Sequence, residues 1–209
     1  MTVLQSIDNV VKWLTLNICD KITFKVPDDD ANDANYGVKY ATPAAFPLYV
    51  PGKDRLPPSV PAPIPSVCVQ LMEGEDNLPE KKRRLKIRLC LACWNPGEHG
   101  DEIFHPQKDL TTATGYSYYR ENKAAEQSYA RNMEGWKDSF NFIDLTLREL
   151  EITEYIEGLR LVKEDGVKFG LFTEDGNIYD YYPYWHSWIT FTLESGVVAN
   201  NPKFYDNYL

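Results

Sequence analysis

Residues 179–194 read YDYYPYWHSWITFTLE, and the parity of the last eight positions decides the fold. Ser187, Ile189, Phe191 and Leu193 fall on one side of an extended chain, while Trp188, Thr190 and Thr192 fall on the other, with Tyr184 and His186 on the same parity as Trp188. A period of two predicts a strand over Ser187–Leu193 with its odd side on a core. The even side holds Trp and Tyr, which join a large apolar area to a polar handle. Such side chains serve either as packing under another element of the same chain or as anchors for a partner. Tyr182, Tyr184, His186 and Trp188 are therefore candidate contact residues. A carbohydrate or base-stacking platform is a third reading of the same aromatics, weakened by the acidity of the chain.

Working outward, RRLKIRLCLACW (83–94) alternates in the same way. Leu85, Ile87, Leu89, Leu91 and Cys93 share one face; Lys86, Arg88, Cys90 and Ala92 share the other. The pair Cys90 and Cys93 formally makes a CxxC motif, but on a strand the two sulfurs point to opposite sides, and no second CxxC or CxxH completes four zinc ligands. SVCVQL (66–71) reads as a further strand, and the acidic, turn-rich EGEDNLPEKK (73–82) joins it to Arg84–Trp94 as an antiparallel hairpin.

Two segments carry helical periodicity. Val3, Ile7, Val10, Val11, Leu14 and Ile18 form an amphipathic stripe, as do Trp136, Phe140, Ile143, Leu147 and Leu150. Between Pro27 and Pro65 lie nine of the fourteen prolines, which exclude helix and leave room for short edge strands at Ile22–Val26 and Leu48–Val50. The string PPSVPAPIP (57–65) has the composition of an SH3 ligand, yet it leads straight into a strand and reads as a rigid approach to it. Residues 95–134 break the rhythm: a loop, then YSYYRENKAAEQSYARN as a modest helix. The whole reads as an insertion whose Tyr116, Tyr118 and Tyr119 favour contact with another chain. Strands at Ile156–Val162 and Val167–Thr173, with a turn at Glu164-Asp165-Gly166, complete the order helix, two strands, helix, three strands. That order predicts an α+β class, a mostly antiparallel sheet packed with helices, as a single domain over 1–209 with an insertion at 95–134.

Composition bounds the chemistry. A net charge of −9 over 209 residues repels phosphate backbones, so DNA is not expected as a bound ligand. The amino-terminal segment lacks a basic, apolar leader pattern and no apolar run approaches the ~20 residues of a membrane span, so a cytosolic site of synthesis is expected. His99 and His105 flank Asp101 and Glu102, a loosely metal-like loop that fits a small metal-dependent hydrolase as an alternative reading. No nucleophile elbow, phosphate-binding loop, dinucleotide fingerprint or HExxH motif occurs. No catalytic residue, cofactor or metal site is expected.

An amino-terminal helix, a proline-bearing segment ending in PSVCVQL, the strand RLKIRLCLACWN, a helix opening GWKDSFNFIDLTLREL and the closing strand YYPYWHSWITFTLES together resemble the tail terminator, or tail completion, proteins of tailed bacteriophages and phage-tail-like particles. The resemblance covers most of the chain, and the 95–134 insertion departs from it. It implies a non-enzymatic role in the virion tail. By the same resemblance, six copies are expected to close into a ring on the last ring of the tail tube, stop its polymerisation and present the surface that joins the head-tail connector protein. The implied partners are other copies of the chain, the tail tube protein, the connector and, in a contractile tail, the sheath protein, with DNA only passing through the lumen. Another neck or head-completion connector is the nearest alternative.

Overall fold

The computed structural model describes residues 1–27, 38–96, 106–108, 116–118, 135–174, 177–178 and 181–196. Helix α1 (Val3–Asn17) opens on Thr2, whose hydroxyl accepts from the Gln5 amide while the Gln5 side chain accepts from the Thr2 amide. This reciprocal box satisfies two of the donors that any helix start leaves open. Strand β1 (Phe24–Pro27) and β2 (Val38–Ala41) form an antiparallel ribbon of their own. The expected edge strand at Ile22–Val26 is thus displaced and lies apart from the main sheet. Phe24 ties the ribbon to the core, its buried ring 5.0 Å from that of Phe142.

Strand β3 (Ala44–Pro47) replaces the strand expected at Leu48–Val50. It runs parallel to β4 (Ser66–Asn77), and Leu48, at φ 64°, ends it by donating its amide to the Val69 carbonyl. Strand β4 pairs antiparallel with β5 (Lys82–Trp94) over most of its length, with a bulge between Leu71 and Glu73. The hairpin is longer than expected, since Glu73–Asn77 and Lys82 are strand and only Leu78–Lys81 turns. Charges that look like loop composition are cross-strand partners: Glu73 faces Lys86, Glu75 faces Arg84, and Asp76 accepts from Arg83 at 2.6 and 2.7 Å.

Strands β6 (Pro106–Lys108) and β7 (Tyr116–Tyr118) make a small antiparallel pair, so the start of the expected helix at Tyr116 is strand instead; the rest of that helix lies outside the described residues. Helix α2 (Lys137–Ile152) follows. Its buried face is Ser139, Phe142, Ile143, Thr146 and Leu150, whereas Trp136 and Phe140, expected on the core stripe, are exposed. The helix begins one residue after Trp136, and Thr146 takes a core position because its hydroxyl donates to the Phe142 carbonyl at 2.8 Å. The expected strand Ile156–Val162 divides into β8 (Tyr155–Ile156) and β9 (Leu159–Leu161) around Glu157 and Gly158, both at positive φ. Strands β10 (Lys168–Leu171), β11 (Thr173–Glu174), β12 (Asn177–Ile178) and β13 (Tyr184–Gly196) complete the order.

The main sheet runs β3-β4-β5-β13-β9-β8, with β10 also on β13, and all its pairings but β3-β4 are antiparallel. Helices α1 and α2 pack on one face of it, α1 over β3, β4 and β8, and α2 over β5 and β13. The class is α+β, as the order of elements predicts. The core is the layer between helices and sheet: Val10, Leu14, Phe142, Ile143 and Leu150 meet Val67, Val69, Leu85, Ile87, Leu89, Leu91 and the odd residues of β13. Among the described residues, no helix is long and apolar enough to cross a membrane.

Candidate interaction surface

Strand β13 pairs with β5 along its whole length, from Tyr184 opposite Trp94 to Gly196 opposite Lys82. This register fixes both faces. Ser187, Ile189, Phe191 and Leu193 are buried under the helices, as the alternation predicts. On the second face, cross-strand rows place Trp188 beside Cys90, His186 beside Ala92 and Tyr184 beside Trp94. Tyr184, His186 and Trp188 therefore share one end of one face, though they do not share an environment.

Trp188 is half-buried and engaged within the chain. Its indole N–H donates to the Leu171 carbonyl at 3.1 Å, its six-membered ring lies directly over Gly170, and the Arg88 guanidinium sits 5.6 Å from the ring centre. His186 is half-buried as well, with Tyr181 edge-on at 6.3 Å, and burial lowers its pKa. Tyr181, Tyr182 and Tyr184 are different: they are 56, 49 and 40% exposed, and they flank the turn that leads into β13. The Tyr184 amide closes that turn on the Tyr181 carbonyl at 2.8 Å.

The same turn is fastened to the base of the 97–134 segment. Tyr182 donates its hydroxyl to the Pro96 carbonyl at 2.9 Å, the Asn95 amide donates to the Pro183 carbonyl at 3.0 Å, and the Trp185 indole donates to the Asn95 carbonyl at 2.9 Å. The Asn95 side chain reaches Asp138 at the start of α2. Gly135, where the chain re-enters the described structure, is required here, because a Cβ would sit 2.2 Å from the Asn95 carbonyl oxygen. Asn95, Gly135, Asp138, Tyr181 and Trp185 escape sequence reasoning. Trp185 falls on the core parity of its strand, and nothing local marks Asn95 and Gly135 as neighbours across forty residues of chain.

Of the remaining candidates, Tyr116 and Tyr118 lie in β7, where the backbone alone is described, and Tyr119 lies outside the described residues. His99 and His105 lie outside them too. The cysteines behave as the strand period predicts: Cys93 is in the core and Cys90 on the second face, its thiol donating to the Gln70 side chain at 3.2 Å. Burial pushes the thiols up, Cys68 to about 11 and Cys19 to about 12, and Cys90 and Cys93 in the same direction. Thiols so raised stay protonated near neutrality and are poor nucleophiles and ligands. Among the described residues, no three His, Cys, Asp or Glu side chains gather as a metal site would need. No protein-family model matches the sequence, and no curated protein matches it.

Proposed function

We propose that the chain is an assembly protein of the tail-terminator type, which closes into a ring on the end of a tail tube, halts its growth and offers the joining surface for a head-tail connector. The observation that carries this reading is the Tyr181, Tyr182 and Tyr184 patch. Three exposed tyrosines stand on a turn already fixed by hydrogen bonds to Asn95 and Pro96, so little conformational freedom remains to be lost when a partner covers them. Tyrosine is enriched at protein contacts for the same reason it is tolerated on this surface: apolar area with a polar rim.

A ring of identical subunits needs two different surfaces on each copy. The second is the edge of β4 from Gln70 to Asn77, which β3 leaves uncovered and which has no strand partner on that side among the described residues. The bulge at Met72 and the carboxylates of Glu73, Glu75 and Asp76 blunt it against indiscriminate strand pairing, so side chains rather than an added strand make the contact. A net charge of −9 suits a lumen through which DNA passes without adhering. Where the tail contracts, the same ring meets the end of the sheath. The test is growth of the cognate tail tube protein with and without the purified chain. Capped tubes of limited length are expected; Tyr182→Ala with Tyr184→Ala abolishes the caps while the circular dichroism spectrum stays that of the folded chain. Uncapped growth with the unaltered chain rejects the reading.

A further inference from the structure

The tyrosine patch is too small to be a whole contact. Tyr181, Tyr182 and Tyr184, each about half exposed, offer roughly 300 Å2, against the ~800 Å2 per partner that a stable interface takes. The aromatic surface continues beyond them. Tyr182 meets the half-buried Trp185 ring edge-on at 6.3 Å, and the Trp185 indole nitrogen is 3.2 Å from where a Gly135 Cβ would sit. The next residue, Trp136, is exposed and has the exposed Phe140 ring edge-on at 5.5 Å. Tyr182, Trp136 and Phe140 thus make one exposed aromatic surface across the junction of β13 and α2, and the Trp136 indole N–H is a donor within it.

The connection between β3 and β4 carries a complement to it. In PPSVPAPIP (57–65), Pro57, Pro58 and Pro61 are exposed, Pro63 is half-buried and Pro65 is buried where the string enters β4. Leu56, at φ −70° and ψ 147°, brings the chain in with polyproline dihedrals, and the Val60 amide donates to the Pro57 carbonyl at 2.9 Å to close a turn around Pro58 and Ser59. Prolines fixed in φ and braced by a turn have little freedom to lose on binding, and they present ring faces and carbonyl acceptors without amide donors. Aromatic-lined surfaces bearing a few donors are what receive such segments. Lys53, Asp54 and Arg55 give the connection one net positive charge in a chain of net −9, so it meets another copy without the general repulsion between acidic surfaces. Within one copy the prolines and the aromatic surface are both exposed, so neither covers the other. They lie on either side of β5, the prolines on the β3–β4 margin beside the open β4 edge and the aromatics at the start of β13. We propose that the exposed prolines of one copy dock on the Tyr182, Trp136 and Phe140 surface of a second copy, an inference that rests on the ring reading and names its heterologous contact.

Two measurements on the full chain test it. The first is a chemical-shift titration with a synthetic peptide of residues 55–65, compared with the same peptide carrying Pro57→Ser, Pro58→Ser and Pro61→Ser. Saturable shifts at Trp136, Phe140 and Tyr182 are expected with the first peptide, and in Trp136→Ala the affinity read at Phe140 and Tyr182 falls roughly tenfold or more. Absence of saturable shifts, or an equal response to the serine peptide, overturns proline recognition. The second is cross-linking by a short bismaleimide, alone and with the tail tube protein, in a Ser59→Cys, Lys137→Cys double variant. A ladder of covalent multimers is expected from the double variant and from neither single variant. Tubes capped by a double variant that yields no ladder overturn the second copy as the occupant and leave the ring reading standing. A chain that binds the peptide yet neither cross-links nor caps tubes overturns the second copy and the ring reading together.

Discussion

The two faces of strand β13 are made by alternate residues of one thirteen-residue strand, yet they are held together by different means. On the helical face, Ile189, Phe191 and Leu193 are at or near zero exposure and packed in a continuous apolar layer, with Ser187 buried beside them and its hydroxyl without a partner among the described residues. On the second face, Trp188, His186 and Thr192 are held one at a time, by the Leu171 carbonyl, the Tyr181 ring and the Asp165 carboxylate, and the Thr190 hydroxyl has no partner among the described residues. Burial of apolar area needs no particular partner, so the first face is stable by itself. Directional contacts need a partner in the right place, so the second face depends on the neighbours that β10 and β5 bring to it.

The contrast between the faces breaks most visibly on the helical side. Phe191→Ala removes a fully buried ring and is expected to cost about 3–5 kcal/mol, read as a lowered urea midpoint with an unchanged slope. Trp188→Ala, a larger truncation on the other face, is expected to cost roughly half as much because its ring is part-exposed. A cost equal to that of Phe191→Ala would show that the second face is a core in its own right. Next comes Gly135→Ala, where the added Cβ cannot coexist with the Asn95 carbonyl. The backbone must shift, and a loss of about 1–3 kcal/mol is expected from the overpacking. Trp185→Phe sharpens the same point: it keeps the ring packing, removes the donor to Asn95 and is expected to cost about 1 kcal/mol.

These expectations also separate what the sequence reveals from what it hides. The periods of two at 83–94 and 187–193 and of three to four at 3–18 suffice for the strands, the first helix and the class, because burial alone selects them. The second helix is legible as a helix but not in its facing. Trp136 and Phe140 outrank Ser139 and Thr146 on any apolarity scale, and only the Thr146 back-bond to Phe142 shows why a hydroxyl belongs inside. The acidic hairpin is hidden for a related reason, since Glu73, Glu75 and Asp76 become strand residues only when Lys86, Arg84 and Arg83 face them. At the candidate surface, the even parity of Tyr184, His186 and Trp188 is legible. The division between an engaged Trp188 and an exposed tyrosine patch is not, because it is made by Gly170, Leu171, Asn95 and Pro96, far away in the chain.

The smallest effect concerns pH. Burial holds the His186 pKa below its unfolded value of 6.5, so the folded state binds fewer protons than the unfolded one. The associated stability is complete above 6.5 and is lost as pH falls through the depressed folded value. His186→Gln is therefore expected to flatten the acid side of the stability profile, read by thermal unfolding across that window. A profile steeper than that of the wild type would place the imidazole in a different environment.

The proposal that the exposed tyrosine patch is an assembly surface is tested most directly by negative-stain microscopy with light scattering on the purified chain, alone and with the tail tube protein that the proposed function implies. Six-fold rings or tubes capped at one end are expected, and both are lost in the Tyr182→Ala, Tyr184→Ala variant. A stable monomer that leaves tube growth unchanged would contradict the account.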